Sequence, residues 1–150
     1  MPFNLTASQR FFAKIDFAGP IPQHCPALGG CWIWKERLNP YGYGQFHDGK
    51  TYYAHRYMYQ LLGGVVPDDL TIDHLCRIRH CVNPDHFDVV SRKINVLRGI
   101  GVAAVNARKT HCIHGHPLSG LNLRLQVRRR KGKPRTIRVC VRCDSAPRRR

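Results

Sequence analysis

The stretch from Asp73 to His86, which reads DHLCRIRHCVNPDH, decides the fold of this 150-residue chain. Its two cysteines and its last histidine follow the spacing C-x4-C-x4-H, so three metal-binding side chains fall within eleven residues. Such spacing lets one ion be held by all three, and zinc in structural sites is almost always bound by four ligands. The fourth ligand must come from elsewhere in the chain. We favour Cys31 over Cys25, which lies in a proline-rich segment.

His74 belongs to the same stretch but has a different predicted role. On a strand, side chains alternate between faces, so His74 and Cys76 share a face and both could bind the zinc. Because three ligands are already present, His74 is left for catalysis, and an imidazole that is neutral near pH 7 suits a general base. Asp73 and Asn95 carry the hard oxygen donors that Mg²⁺ prefers, so they are candidate ligands for a catalytic metal.

The charge balance points to a polyanionic partner. The chain has 25 Lys and Arg residues against 9 Asp and Glu, a formal net charge of +16, and 14 of the basic residues follow residue 98 beside a single acidic one, Asp144. This excess favours nucleic acid over anionic lipid. Seven cysteines without a secretion signal argue against a disulfide framework, and no apolar run is long enough to span a bilayer, so an intracellular chain is expected.

The remaining pattern predicts an α+β fold with little regular structure. Thr6 and Gln9 have the capping-box spacing, which predicts a short helix through residue 14. The Asp48-Gly49 pair predicts a type I′ turn between strands 43–46 and 51–54. A helix is expected over residues 55–62, with Met58, Leu61 and Leu62 facing inward. Short strands are expected at 71–75 and 87–90, and Ser91 should cap a helix that ends near residue 98.

Six motifs follow one another in order between residues 31 and 95. They are Cys31-Trp32-x-Trp34, Tyr41-Gly-Tyr-Gly44, Ala54-His55-Arg56, Asp73-His74-Leu75-Cys76, Cys81-Val-Asn-Pro-Asp-His86 and Asn95. This series resembles the HNH or His-Me finger endonucleases, which are ββα-metal nucleases. Within them it most resembles the homing endonucleases with Cys/His boxes and their phage-encoded relatives. The resemblance covers roughly residues 28–99 and implies a small, zinc-stabilised ββα-metal nuclease core.

The resemblance also implies roles for individual residues. His74 matches the general base that deprotonates the attacking water. Asn95 matches the amide ligand of a single catalytic Mg²⁺ or Mn²⁺, and Asp73 stands where many members have a second ligand. Arg56 is the candidate for the arginine that is usual near the scissile phosphate, although it could equally be a surface phosphate contact. The structural zinc set is matched by Cys31, Cys76, Cys81 and His86.

A second zinc site is predicted in the basic C-terminal part. The pairs Cys112-x3-His116 and Cys140-x2-Cys143 are typical of a zinc ribbon, with His114 as an alternative to His116. Strands are expected at residues 121–127 and 136–139, around a basic loop. We expect phosphate contacts from this loop and further DNA contacts from the exposed hairpin of residues 43–54. The predicted DNA-binding residues are Arg128, Arg129, Arg130, Lys131, Lys133, Arg135, Gln45, His47 and Lys50.

These inferences predict two domains, with a nuclease at residues 1–99 and a linker with a zinc-binding, DNA-contacting arm at residues 100–150. The expected function is that of a metal-dependent homing endonuclease of the HNH type that cuts double-stranded DNA. It would act in the bacterial cytoplasm, as a phage or mobile-element product, and a homodimer would suit double-strand cutting. Two alternatives remain open: a nicking or weakly specific phage nuclease for packaging or host-DNA degradation, and a non-catalytic zinc DNA-binding protein.

Overall fold

The computed structural model describes residues 5–145. Its described part contains five short α-helices and eight strands, and the strands pair only as antiparallel two-stranded sheets, β1–β2, β3–β4, β5–β6 and β7–β8. The mixed α+β class predicted from the sequence is therefore confirmed. None of the described helices is long and apolar enough to pass through a lipid bilayer.

The N-terminal helix α1 (Ala7–Phe12) begins with the predicted capping box, because Thr6 accepts a hydrogen bond from the Gln9 amide and the Gln9 side chain accepts one from the Thr6 amide. Its apolar face buries Phe11 completely. The chain then forms β1 (Ile15–Asp16), which pairs with β2 (Ile33–Trp34). Cys31, two residues before β2, is completely buried.

The predicted hairpin forms as β3 (Gln45–Asp48) and β4 (Lys50–Tyr53), followed by α2 (Ala54–Leu61). Two details of the prediction are wrong. Only Gly49 of the turn pair has a positive φ, 70°, whereas a type I′ turn needs positive φ at both residues. On α2, Met58 and Tyr57 are buried as the inward face, but Leu61 and Leu62 are 39% and 62% exposed.

The next three elements form a ββα unit. Strand β5 (Leu70–His74) pairs with β6 (Phe87–Ser91), and the register places Asp73 opposite Asp88 and His74 opposite Phe87. Ser91 accepts a hydrogen bond from the Ile94 amide, as predicted, and α3 (Arg92–Arg98) follows at once. The link between the two strands is the Cys/His-rich stretch itself.

The chain divides into two compact units at Asn95 and Val96, within α3. The first unit has an apolar core of eight buried residues, packed against half-buried aromatic side chains. These are Phe11, Ile15, Trp34, Phe46, Ala54, Tyr57, Met58 and Val82. The domain boundary that the sequence predicts after residue 99 stays a prediction.

The second unit contains α4 (Val102–Arg108), β7 (Leu123–Arg130), β8 (Lys133–Cys140) and α5 (Val141–Asp144). Residues 128–135, expected as a loop, instead continue the two strands to a tight turn at Lys131 and Gly132, both with positive φ. The start of residues 100–150, expected as a linker, contains α4. Buried apolar side chains are few here: among the described residues of this unit, only Ala104 and Cys140 are buried.

Candidate active site and metal clusters

His74 is the last residue of β5 and is held in one orientation. Its side chain is 6% exposed, and its Nε2 lies 3.2 Å from the carbonyl oxygen of Cys81. A carbonyl can only accept, so Nε2 carries the hydrogen and donates it. In the neutral ring this leaves the lone pair on Nδ1 as the basic site.

Aromatic rings surround His74. The ring centroids of His55, Phe87 and Tyr43 lie 4.8, 5.3 and 5.9 Å from that of His74. Burial lowers the pKa of His74 below its usual 6.5, although Cys76 opposes the shift, and burial lowers the pKa of His55 to about 3. Both imidazoles are therefore neutral near pH 7, which is the state that a general base requires.

Asp73 precedes His74 and is almost completely buried, at 2% exposed. Its Oδ1 accepts a hydrogen bond of 2.6 Å from Arg77 Nη1, which also donates to the His74 carbonyl at 3.2 Å. Sequence reasoning did not identify Arg77. The signal in the sequence was its position directly after Cys76. In the structure Arg77 closes the turn of Leu75 and Cys76, since its backbone N–H donates to the His74 carbonyl at 3.0 Å, and its φ is 60°.

Asn95 and Arg56 both lie on helices, Asn95 on α3 and Arg56 on α2. Asn95 is half-buried on the first turn of α3, directly after the strand that pairs with β5. Arg56 is exposed on α2, next to the buried His55. The two strands and α3 thus carry Asp73, His74 and Asn95 on one supersecondary unit.

The structure brings the first predicted metal-binding set together. The ligand atoms of Cys31, Cys76, Cys81 and His86 all lie within 4.8 Å of one another, and all four side chains are buried. His86 Nδ1 is 3.5 Å from both the Cys31 and the Cys81 sulfurs. Tetrahedral zinc with bonds near 2.3 Å to sulfur and 2.0–2.1 Å to nitrogen requires sulfur–nitrogen edges of about 3.5 Å. Four atoms so spaced can hold zinc.

The surroundings of His86 fix which nitrogen faces the cluster. Its Nε2 donates to the Leu28 carbonyl at 2.9 Å, so Nδ1 is left as the metal-binding nitrogen. The backbone N–H of Asn83 donates to the Cys81 sulfur at 3.4 Å. Cys25 lies outside the set, with its sulfur 3.6 Å from the Leu75 carbonyl.

The pKa values of the three thiols indicate that this cluster needs a bound cation to hold all of them as thiolates. Burial and the nearby Cys76 raise the pKa of Cys31 to about 11, and the hydrogen bond with Cys76 together with burial raises the pKa of Cys81. Hydrogen bonding from Cys81 lowers the pKa of Cys76 to about 5. With protein groups alone, the cluster therefore supports one thiolate, and a dication is what would stabilise three.

The second set, Cys112, His116, Cys140 and Cys143, also has its ligand atoms within 4.8 Å of one another. The Cys112 and Cys143 sulfurs are 3.7 Å apart, and His116 Nδ1 is 3.3 Å from the Cys143 sulfur. These distances match the edges of a tetrahedral zinc site, with sulfur–sulfur edges of about 3.8 Å. His114 is not in the set, although its amide donates to the Cys112 sulfur at 3.4 Å.

The predicted DNA-binding residues lie on the two hairpins. His47 and Lys50 are exposed on β3–β4, whereas Gln45 is half-buried and not exposed as predicted. The remaining side chains are all exposed on β7–β8 and its turn; they are Arg128, Arg129, Arg130, Lys131, Lys133 and Arg135.

Comparison with known proteins bears on the central segment. Residues 52–97 match the family model described as HNH endonuclease, which confirms the predicted resemblance and includes Asp73, His74 and Asn95. The chain is 36% identical over 69 residues to Protein 2.8 of Escherichia phage T7, covering 44% of this chain and 46% of that protein. It is 28% identical over 77 residues to the "Uncharacterized gene 5.3 protein" of Enterobacteria phage T3, covering 46% of this chain and 76% of that protein.

The chain therefore spans less than half of the length of the T7 relative. No solved structure matches the chain.

Proposed function

From the match of residues 52–97 to the HNH endonucleases, we propose that this protein is a metal-dependent endonuclease of the homing type that cuts double-stranded DNA. The observation that carries the proposal is the state of His74, which is neutral and fixed through Nε2, with Nδ1 as its basic atom. The phage relatives support a role in the cytoplasm of an infected bacterium. The homodimer has no support in these observations and stays a prediction.

In the proposed reaction, Nδ1 of His74 takes a proton from water, and the resulting hydroxide attacks the scissile phosphorus. The bond to the 3′ oxygen breaks, so the products have a 5′-phosphate and, after protonation from solvent, a 3′-hydroxyl. Arg77, whose Nη1 contacts both Asp73 and the His74 carbonyl, holds the end of β5 in place. Arg56, exposed on α2, is proposed to contact a phosphate.

Asn95 and Asp73 are the proposed ligands for Mg²⁺. Both offer hard oxygen donors, and they lie on the same ββα unit as His74. Because Arg77 already binds Oδ1 of Asp73, Asn95 is the ligand on which the proposal mainly depends. A bound Mg²⁺ would supply positive charge to the leaving 3′ oxygen.

Two structural zinc ions are proposed, one in each Cys/His cluster. The tetrahedral spacing of the ligand atoms supports both sites. The exposed, basic hairpin β7–β8, together with His47 and Lys50, is proposed to bind DNA. Because these contacts displace counterions, binding should weaken as salt concentration rises.

The central test is the His74→Ala variant. Removing the base should lower cleavage of DNA by about 10²-fold to 10⁴-fold or more, because positioned general bases contribute factors of that order. The protein is incubated with Mg²⁺ and genomic DNA from its source, and the cut ends are then mapped by sequencing. Zinc content, measured by elemental analysis, and DNA binding should remain those of the wild type.

Each other outcome has a defined meaning. Undiminished cleavage by His74→Ala contradicts the assigned base. Smeared digestion by the wild type, in place of one defined site, identifies a weakly specific nuclease. DNA left intact by the wild type with and without Mg²⁺ identifies a non-catalytic zinc DNA-binding protein.

A further inference from the structure

The β7–β8 hairpin separates its side chains onto two different faces. Residues directly opposite in an antiparallel pair share a face, and faces alternate along each strand. The register pairs Arg128 with Arg135 and Arg130 with Lys133, so four cations occupy one face near the turn. Arg129 lies on the opposite face with Pro134 as its partner. We call the first surface, Arg128, Arg130, Lys133 and Arg135, the basic face.

In the protein without a bound partner, the like charges of the basic face destabilise the hairpin. Both cross-strand pairs of that face place like charges directly opposite each other, an arrangement that destabilises a hairpin. Within residues 5–145, none of the four cations forms an ion pair. Asp144, which is the single acidic residue after residue 98, is paired with Arg124 at the base of the hairpin. A polyanion would relieve this repulsion.

The opposite face is different in chemistry. Leu125 and Val127 are 65% and 67% exposed there, and their cross-strand partners are Arg138 and Thr136. Arg138 donates to the Asn106 carbonyl of α4, so its guanidinium is already engaged within this unit. Of the two faces, only the basic face offers a compact group of uncompensated cations.

The base of the hairpin is held by the second metal-binding set. Strand β8 ends at Cys140, and Cys143 follows on α5. The Cys143 sulfur lies 3.7 Å from the Cys112 sulfur and 3.3 Å from His116 Nδ1. A zinc ion at this position would join the end of β8 and the helix α5 to the loop that precedes the hairpin and carries Cys112 and His116. The basic face is thus presented by a ribbon anchored at one end, with its cations at the other.

We propose that this ribbon enters the major groove of duplex DNA with its basic face toward the DNA. The proposal rests on the proposed function, in which duplex DNA is the substrate. The major groove of B-form DNA is wide enough for a two-stranded antiparallel ribbon, whereas the minor groove is about half as wide. The deep, narrow major groove of an A-form RNA duplex excludes such a ribbon.

The alternation of the strands provides a matched control for the test. Arg128→Gln and Arg135→Gln each remove one charge from the basic face, and Arg129→Gln removes the same charge one residue away on the other face. All three are made in the full chain carrying His74→Ala, so that binding to a short duplex is measured without cleavage. Retained zinc, measured by elemental analysis, shows that each variant is folded.

We expect Arg128→Gln and Arg135→Gln each to weaken binding by about fivefold. Each should also make the negative slope of log affinity against log salt concentration shallower by about 1. Arg129→Gln should change affinity less than about twofold, because the ribbon proposal, unlike the prediction from sequence, places Arg129 on the face turned away from the DNA. Equal losses for Arg129→Gln and Arg128→Gln overturn the assignment of the face. Unchanged binding in all three variants excludes the ribbon as a DNA contact, while leaving the cleavage test of His74 unaffected.

The groove is tested by competition on the same duplex. Methyl green, which occupies the major groove, should displace the protein, and netropsin, which occupies the minor groove, should not. Displacement by netropsin alone contradicts the major-groove assignment. Tighter binding to an A-form RNA duplex, or to vesicles containing phosphatidylserine, than to duplex DNA contradicts the proposed partner.

Discussion

At the scale of single residues, the choice between Cys25 and Cys31 has a direct test. Cys31 is fully buried with its sulfur 3.5 Å from His86 Nδ1, whereas the Cys25 sulfur lies 3.6 Å from the backbone carbonyl oxygen of Leu75. We expect Cys31→Ser to lose about one zinc per chain and to melt at lower temperature, because structural zinc contributes directly to folding. Elemental analysis and thermal melting measure both effects.

The matched variant is Cys25→Ser, which should keep its zinc and its melting temperature close to those of the wild type. Loss of zinc from Cys25→Ser, with zinc retained in Cys31→Ser, would reverse the assignment of the fourth ligand.

His55 gives a pH-dependent prediction. It is 6% exposed, its Nδ1 is buried without a hydrogen-bond partner among described residues, and burial, His74 and Arg56 lower its pKa from 6.5 to about 3. Its ring centroid also lies 5.5, 5.7 and 6.1 Å from those of Tyr43, Tyr53 and Phe87. Below pH 6.5 the unfolded chain binds a proton at His55 that the folded chain does not, so the free energy of unfolding falls as the pH falls.

From pH 8 to pH 5 this effect is about 2 kcal/mol, since one pKa unit corresponds to about 1.4 kcal/mol. His55→Phe keeps an aromatic ring and removes the titrating group. The stability difference between the wild type and this variant, measured by urea unfolding at several pH values, should therefore change in favour of His55→Phe as the pH falls. A difference that is independent of pH would show that His55 has the same pKa in the folded and the unfolded chain, which contradicts the prediction.

At the scale of elements, the sequence predicted those parts whose signals are local. The capping box of Thr6 and Gln9, the caps at Ser91 and the strands around Asp73 follow from spacing within a few residues, and the structure has them. The metal-binding sets were also predictable, because cysteine and histidine spacing restricts which side chains can meet.

The elements that were wrongly predicted depend on tertiary packing or on turn geometry. Leu61 and Leu62 have the apolar character of a buried face, but the core is closed by Tyr57 and Phe46, so they remain exposed. The run Arg128 to Arg135 has the composition of a solvated loop. Its Lys131-Gly132 pair, however, adopts the two positive φ values of a two-residue turn, which allows full pairing of the flanking strands.

At the scale of the whole molecule, the two units differ in what holds them together. The first has a core of eight buried residues with several aromatic contacts, such as the 5.0 Å separation of the Phe11 and Trp34 rings. The second has few buried apolar side chains in its described part, so burial of apolar area stabilises it little. We therefore expect the second unit to depend on a metal for its stability.

This difference predicts that Cys143→Ser unfolds the second unit and leaves the first intact. Both tryptophans of the chain, Trp32 and Trp34, belong to the first unit, and Trp34 is only 2% exposed, so fluorescence reports on that unit alone. Cys143→Ser should lose about one zinc and become open to proteolysis after residue 96, while its emission maximum stays at the wild-type wavelength. Cys31→Ser is the reciprocal control and should shift the emission to the red. A red shift in Cys143→Ser as large as in Cys31→Ser would mean that the two units unfold as one.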